Sequence, residues 1–220
     1  MNLYISRHGQ SLANVSQTAV EDPHLTERGF AQAGALGERM AKIKLDLILS
    51  SPTRRALATA NEVALRQTEG TKQVYWLTEL TEVDWDLEKG QKLSPTEELL
   101  KACPGALPYP EPGPLGYTDS LPPDIHGGVD RAYAVSKFLT DRFLEKGINI
   151  LVVAHGIFNS RFISASIGGE YPFFCRHMSD NAMLTLISYT EDRDGQTRSL
   201  MVFHNDIRHL VEAGLDEERA

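Results

Sequence analysis

The sequence predicts an α/β fold: a three-layer sandwich with a mostly parallel central sheet and helices on both faces. Two observations predict it. Short apolar runs alternate with amphipathic stretches of helical length along most of the chain, the trace that strand–helix–strand units leave. Two of those runs, LYISRHG at 3–9 and INILVVAHG at 148–156, stop abruptly at a histidine followed by glycine. Buried parallel strands end this way when they carry polar groups to the rim of a sheet.

Leu3–Ser6 is the first strand. Between Leu25 and Ala41 the residues Leu25, Ala33, Leu36 and Met40 recur at helical spacing, and Thr26 is placed to cap the helix. Leu45–Ser50 is the second strand. Ser51-Pro52 then reads as a helix start, a capping hydroxyl followed by proline at the first helical position, with the helix running to Arg66. Val74–Leu77 is the third strand. Residues 86–127 break the alternation. Ser94-Pro95-Thr96-Glu97 has the form of a capping box before a short helix to about Ala102. A stretch dense in proline and glycine follows, too long for a simple connection and therefore functional or disordered. The pattern resumes with a helix over Val129–Lys146 that shows Val135, Phe138, Leu139 and Phe143 on one face, a strand at 148–154 and a helix at 157–167. Ala182–Tyr189 and Ser199–Phe203 form a closing hairpin around Asp194-Gly195. The tail GLDEERA is solvated. The organisation expected is one domain over 1–220, with 86–127 inserted as a cap or lid that sets substrate choice.

Bulk composition narrows the function. The chain has 220 residues, 41% of them hydrophobic and 24% charged, as in ordinary soluble proteins. A net charge of −8 disfavours nucleic acid and anionic membranes as partners. Cys103 and Cys175 are far apart and in no metal-ligand spacing, which argues against a disulfide framework or a zinc ribbon. No basic leader precedes the first strand, and no run approaches the roughly 20 apolar residues of a membrane span. A cytoplasmic location is expected. The sequence carries no signal of oligomeric state.

His8, Ser50-Ser51 and His155 all lie just past strand ends, so residues distant in sequence converge on one rim. Gly9 and Gly156 allow close backbone approach or positive φ. The N–H groups at the start of the second helix favour an anion there. Arg7 and Arg55 are permanent cations whose forked donors match phosphate oxygens. Two histidines beside such arginines suit metal binding, acid–base work or covalent attack. Metal is the weakest of the three, because no carboxylate or cysteine set completes a site and two arginines repel a divalent cation. Attack on a phosphoryl group fits best, since neutral imidazole is nucleophilic and arginine spreads the transferring charge.

Arg7-His8-Gly9-Gln10-Ser11-Leu12-Ala13-Asn14 closely resembles the signature of the histidine phosphatase superfamily, the phosphoglycerate-mutase-like proteins. The resemblance continues through LTERGFAQA at 25–33, SSPTRRALATA at 50–60, VVAHG at 152–156 and FHNDIRHL at 203–210. Five segments in order cover most of the chain outside 86–127. The resemblance implies a phosphoglycerate-mutase-like fold and a phosphomonoesterase that works without metal or organic cofactor on a small phosphorylated metabolite or another phosphomonoester. It implies that His8 is the nucleophile that becomes phosphohistidine, and that Arg7, Arg55 and His155 hold the phosphoryl oxygens. Asn14 and Ser11 help at the rim. Arg55 rather than Arg54 precedes the alanine of the family's Arg-Ala pattern, which leaves Arg54 as a helix-surface charge. The leaving-group acid is implied to be a glutamate after the third strand. Glu82 in Leu80-Thr81-Glu82 fits best, and Leu77-Thr78-Glu79 offers the same local pattern. Asp86 stands where many of these phosphatases carry glycine. His204, Asn205 and His209 read as support for the end of the sheet. The nearest alternative is a cofactor-dependent phosphoglycerate mutase, disfavoured because VSQTAVEDPH lacks the mutases' tryptophan and 86–127 has no arginine. The others are a non-catalytic phosphoprotein-binding module of this fold, expected to lose the nucleophile or an arginine, and a metal-dependent hydrolase.

Overall fold

A computed structural model describes residues 1–16, 21–83, 91–122, 126–169 and 179–216. Cys175, Trp85 and Asp86 lie outside the described residues, as do 86–90 and 123–125 of the expected insertion.

The elements in chain order are β1 (Asn2–Arg7), α1 (Leu12–Val15), α2 (Glu27–Met40), β2 (Leu47–Ser50), α3 (Arg54–Arg66), β3 (Val74–Trp76), β4 (Gln91–Lys92), α4 (Thr96–Ala102), β5 (Leu107–Pro108), β6 (Ser120–Leu121), α5 (Val129–Phe143), β7 (Asn149–Ala154), α6 (Gly156–Ser166), β8 (Leu184–Glu191), β9 (Thr197–Asp206) and α7 (Arg208–Glu212). A 3₁₀ turn at Thr78–Leu80 follows β3, where the sequence shows no period to announce it.

Seven strands form one sheet in the order β5-β3-β2-β7-β1-β8-β9. The five from β5 to β1 run parallel, and the β8–β9 hairpin closes the other edge antiparallel. Side-chain alternation along the strands makes the three layers. Leu3, Ile5, Leu49, Ile150 and Val152 pack with Leu139, Phe158 and Phe162 of α5 and α6. Tyr4, Ile48, Leu151 and Val153 pack on the opposite face with Leu36, Met40, Leu57 and Val63 of α2 and α3. The expected sandwich is the one observed.

The topology positions the site. β7 lies between β1 and β2, with Arg7 opposite Ala154 and Ser50 opposite Val153, so these three strands end level and side by side. His8, Ser51 and His155 therefore leave the sheet at the same rim.

Several local expectations are corrected. Thr26 caps α2, accepting from the N–H of Gly29 at 3.0 Å. Ser51 does not cap α3; the helix begins at Arg54, behind Thr53. The reason is competition, because the Ser51 hydroxyl is taken by His155. The capping box at 94–97 also fails to form. α4 starts at Thr96 after Pro95, and the Ser94 hydroxyl donates to Asp22 Oδ2 at 2.6 Å. The Pro/Gly-rich stretch is not merely a cap. Leu107–Pro108 adds a strand to the edge of the main sheet beside β3, an edge being where proline is tolerated. β4 and β6 form a separate two-stranded ribbon above it.

Candidate active site

A cavity of about 540 Å³ opens at the ends of β1 and β2, and Arg7, His8, Ser11, Asn14, Arg55 and Glu82 all line it. His8 is 4% exposed. Its Nδ1 lies 2.7 Å from the carbonyl of Gly9, and its Nε2 lies 3.2 Å from Arg55 Nε. A carbonyl only accepts and an arginine only donates, so the two partners determine the tautomer: Nδ1 carries the proton and Nε2 keeps its lone pair. Burial, then the charges of Arg55 and Arg7, push the ring's pKa well below the usual histidine range, against a smaller opposing effect of the Gly9 carbonyl. His8 is a neutral imidazole whose Nε2 lone pair faces Arg55 and accepts its hydrogen bond.

His155 is fully buried and does not line the cavity. Its ring stands edge-on to that of His8, centroids 5.2 Å apart. Its Nδ1 accepts from Arg55 Nη2 at 3.2 Å, which leaves Nε2 protonated and donating to Ser51 Oγ at 2.8 Å. Burial and then Arg55 hold this ring neutral as well. One guanidinium thus joins both histidines, with His155 braced behind it.

Arg55 projects from the first turn of α3 and is held from outside by Asp22, Nη1 to Oδ1 3.5 Å. Asp22 sits at φ 38°, in the left-handed region that aspartate tolerates better than most residues. The Asp22 carboxylate also accepts from the Arg54 N–H and from Ser94. Arg54 is not a plain surface charge, since its guanidinium grips the carbonyl of Asp22 and reaches His24. Sequence reasoning missed Asp22; its one signal is an acidic residue before a proline in a loop otherwise without pattern.

Arg7 donates to the Ser179 carbonyl at 2.7 Å. The backbone at Arg7 and His8 is fastened by the Ala182 N–H and by Asn181 Nδ2, which reaches the His8 carbonyl at 2.9 Å. Ala182 holds φ 52°, an uncommon conformation for a residue with a Cβ. His209 secures it by donating from Nε2 to the Ala182 carbonyl at 2.9 Å. Burial pulls the pKa of His209 down to about 4. The FHNDIRHL segment therefore reaches the site through one intermediate residue.

Gly9 is needed for close approach and not for positive φ. A Cβ there would lie 2.4 Å from the Gly29 carbonyl oxygen, so only glycine lets the loop after β1 rest on α2. Gly156 meets neither sequence-based reason, because a Cβ there would touch the Arg7 guanidinium at ordinary distances of 3.5–3.8 Å. Ser11 and Asn14 are bonded to each other, with Asn14 Oδ1 accepting from the Ser11 N–H and hydroxyl. What Asn14 can offer an anion is its amide nitrogen.

The two candidate glutamates separate cleanly. Glu82 lines the cavity, its carboxylate accepting from Phe158 N at 2.9 Å and Ile157 N at 3.2 Å at the start of α6, and from Val83 N at 3.0 Å. Glu79 is completely buried away from the cavity beneath the insertion, accepting from Leu115 N at 3.0 Å. Among the described residues no group of three His, Cys, Asp or Glu side chains is placed to hold a metal ion. No described helix is long and apolar enough to cross a membrane.

A parallel sheet whose rim sets a neutral histidine and two arginines at one cavity, with a second neutral histidine buried behind, is suited to an anion such as phosphate. The chain belongs to the histidine phosphatase superfamily (branch 1), whose family model matches residues 3–200. It is 26% identical over 203 residues to phosphoserine phosphatase 1 of Hydrogenobacter thermophilus, covering 88% of this chain and 89% of the relative. Its fold is that of the phosphoglycerate mutase from Bacillus anthracis, at TM-score 0.65 and 22% identity, covering 97% of this chain and 96% of the other. It is also that of the Entamoeba histolytica phosphoserine phosphatase solved with 3-phosphoglyceric acid, at TM-score 0.61 and 20% identity, covering 95% and 98%. A phosphatase role is thereby supported.

Proposed function

We propose that the protein hydrolyses a phosphomonoester in two steps through a phosphohistidine on His8, without a metal ion or organic cofactor. The observation that carries this reading is the orientation of His8: neutral, its proton held on Nδ1 by the Gly9 carbonyl, its Nε2 lone pair at the cavity beside Arg55. Nε2 attacks phosphorus as the bond to the leaving oxygen breaks, and Glu82 gives that oxygen a proton. Water then attacks the phosphohistidine, Glu82 takes the proton back, and inorganic phosphate leaves with Nε2 restored. Arg7 and Arg55 receive the phosphoryl oxygens, and His155 steadies Arg55 from behind. Ser11 and Asn14 close the rim, and Gly9 lets the loop that carries His8 rest on α2. A small phosphorylated metabolite fits a cavity of this size, and the arginines give an acidic protein a local attraction for a dianion. The composition supports a cytoplasmic enzyme with neither nucleic acid nor membrane as partner.

The experiment is His8→Ala, assayed with 4-nitrophenyl phosphate and with a radiolabelled ester quenched for acid-labile phosphate. Turnover should fall on the order of 10⁴-fold or more and the trapped phosphate should vanish, with the fold retained. Near-normal turnover would refute the nucleophile.

A further inference from the structure

A second cavity, of about 1010 Å³, opens along the same rim at the C-terminal ends of β3 and β5. It shares Lys92, Leu93 and Ser94 with the phosphoryl cavity, so one short segment forms a wall common to both. Its other walls are of a different kind. Trp76, Tyr109 and Tyr117 line it among several prolines, together with Glu111 and Asp119, where the phosphoryl cavity has His8 and two arginines and no tyrosine or tryptophan among its described lining residues. Tyr109 is set in place beforehand, its ring edge-on to Tyr75 at 5.9 Å and to Phe138 at 5.8 Å.

We propose that this cavity receives the leaving-group end of the substrate, and that this end carries a flat aromatic or heteroaromatic body. The inference rests on the phosphomonoesterase reading and narrows it. The phosphoryl cavity alone, at about 540 Å³, already holds phosphate with a three-carbon alcohol. A small ester leaves the larger cavity unused. In parallel α/β sheets one ligand commonly spans neighbouring strand ends, and the two cavities occupy neighbouring ends. Aromatic rings and prolines stack on flat apolar bodies. Lys92 is exposed at the common wall and its side chain forms no ion pair or hydrogen bond with the described residues, so the path from one cavity to the other passes a cation suited to the ester's oxygens.

The test compares phosphates of primary alkyl alcohols, which have similar leaving groups, with and without a flat ring: phosphoserine and glycerol 3-phosphate against adenosine 5′-monophosphate and 2-(2-naphthyl)ethyl phosphate. The ringed esters should lead in kcat/KM by about tenfold or more. Tyr117→Ala should lower the ratio of ringed to ringless kcat/KM by about tenfold, and Tyr117→Phe, which keeps the ring face, should restore it. Adenosine should bind the His8→Ala variant and quench tryptophan fluorescence without any turnover. Equal kcat/KM for both sets, with a ratio indifferent to Tyr117→Ala, would overturn the inference and leave the phosphatase intact. Loss of hydrolysis and of acid-labile phosphate with every ester would instead overturn the phosphatase reading, and this inference with it.

Discussion

The phosphoryl cavity and residues 107–118 lie on opposite sides of one short segment, residues 78–82, and are built on opposite terms. On the cavity side each reactive group is held by a partner whose hydrogen-bonding role cannot change: the Gly9 carbonyl on His8, Arg55 on both histidines, backbone N–H groups on Glu82. On the other side, residues 107–118 hang from a few anchors. Among the described residues these include the two-residue pairing of β5 with β3, Leu115 on Glu79, the Thr78 hydroxyl donating to the Thr118 carbonyl at 2.7 Å, the Tyr109 ring against Tyr75 and Phe138, and the ion pair of Glu111 with Arg142. Leu107 is half exposed. Chemistry that must act on any phosphoryl group is placed by the sheet, where packing tolerates little change. Under the proposed function, choice among alcohols falls to a segment that can vary at small cost.

The contrast can be broken by experiment. The largest effect after loss of His8 belongs to Glu82→Gln, expected to lower turnover of an alkyl phosphate by about 10²–10⁴-fold. In kcat/KM, which reports the attack on the ester, the loss should be much smaller with 4-nitrophenyl phosphate, whose leaving oxygen needs no proton. Equal losses in kcat/KM on both esters would remove Glu82 from protonation of the leaving group. Next is Asp22→Asn, which weakens the outer hold on Arg55 and should reduce kcat/KM about tenfold for all esters alike. A loss confined to some esters would place Asp22 with the insertion, through Ser94, and not with the pocket.

Glu79→Ala tests the opposite side. It strands the Leu115 N–H and empties a buried site, so stability should drop by about 1–3 kcal/mol. Proteolysis within 107–118 should quicken while 4-nitrophenyl phosphate turnover stays within about twofold. A collapse of turnover would show that the two sides are not separable.

The mildest probe is pH. His8, His155 and His209 are neutral in the fold with lowered pKa values, His209 at about 4. In the unfolded chain each titrates near 6.5. Below about pH 6.5 the unfolded state binds protons that the folded state refuses, so stability falls as pH drops and is unaffected by these groups above that range. Thermal melts from pH 7.5 to 4.5 should show this decline, and His209→Gln should make it shallower. A flat profile would mean that the rings become charged within the fold.

The class of fold, the order of its main elements and several of the residues at the sheet's rim were legible in the sequence, because each depends on local chemistry. Strands and helices follow from apolar period, and Arg7, His8, Arg55 and His155 announce themselves at the ends of apolar runs or at a helix start. The pairing of those residues was not legible. Ser51 and Ser94 look like caps, and became partners of His155 and Asp22 only because folding brought stronger acceptors and donors within reach. Glu79 and Glu82 sit in the same tripeptide pattern, three residues apart, and only the 3₁₀ turn after β3 sends one beneath the insertion and the other to α6. Asp22, Asn181, Ala182 and His209 serve the site through contacts spanning tens to more than a hundred residues, which no local period encodes. Sequence by itself determined which chemistry the chain carries, since residue type and strand period are local. The tertiary structure alone decided which groups touch, because crossover connections set which strand ends are neighbours.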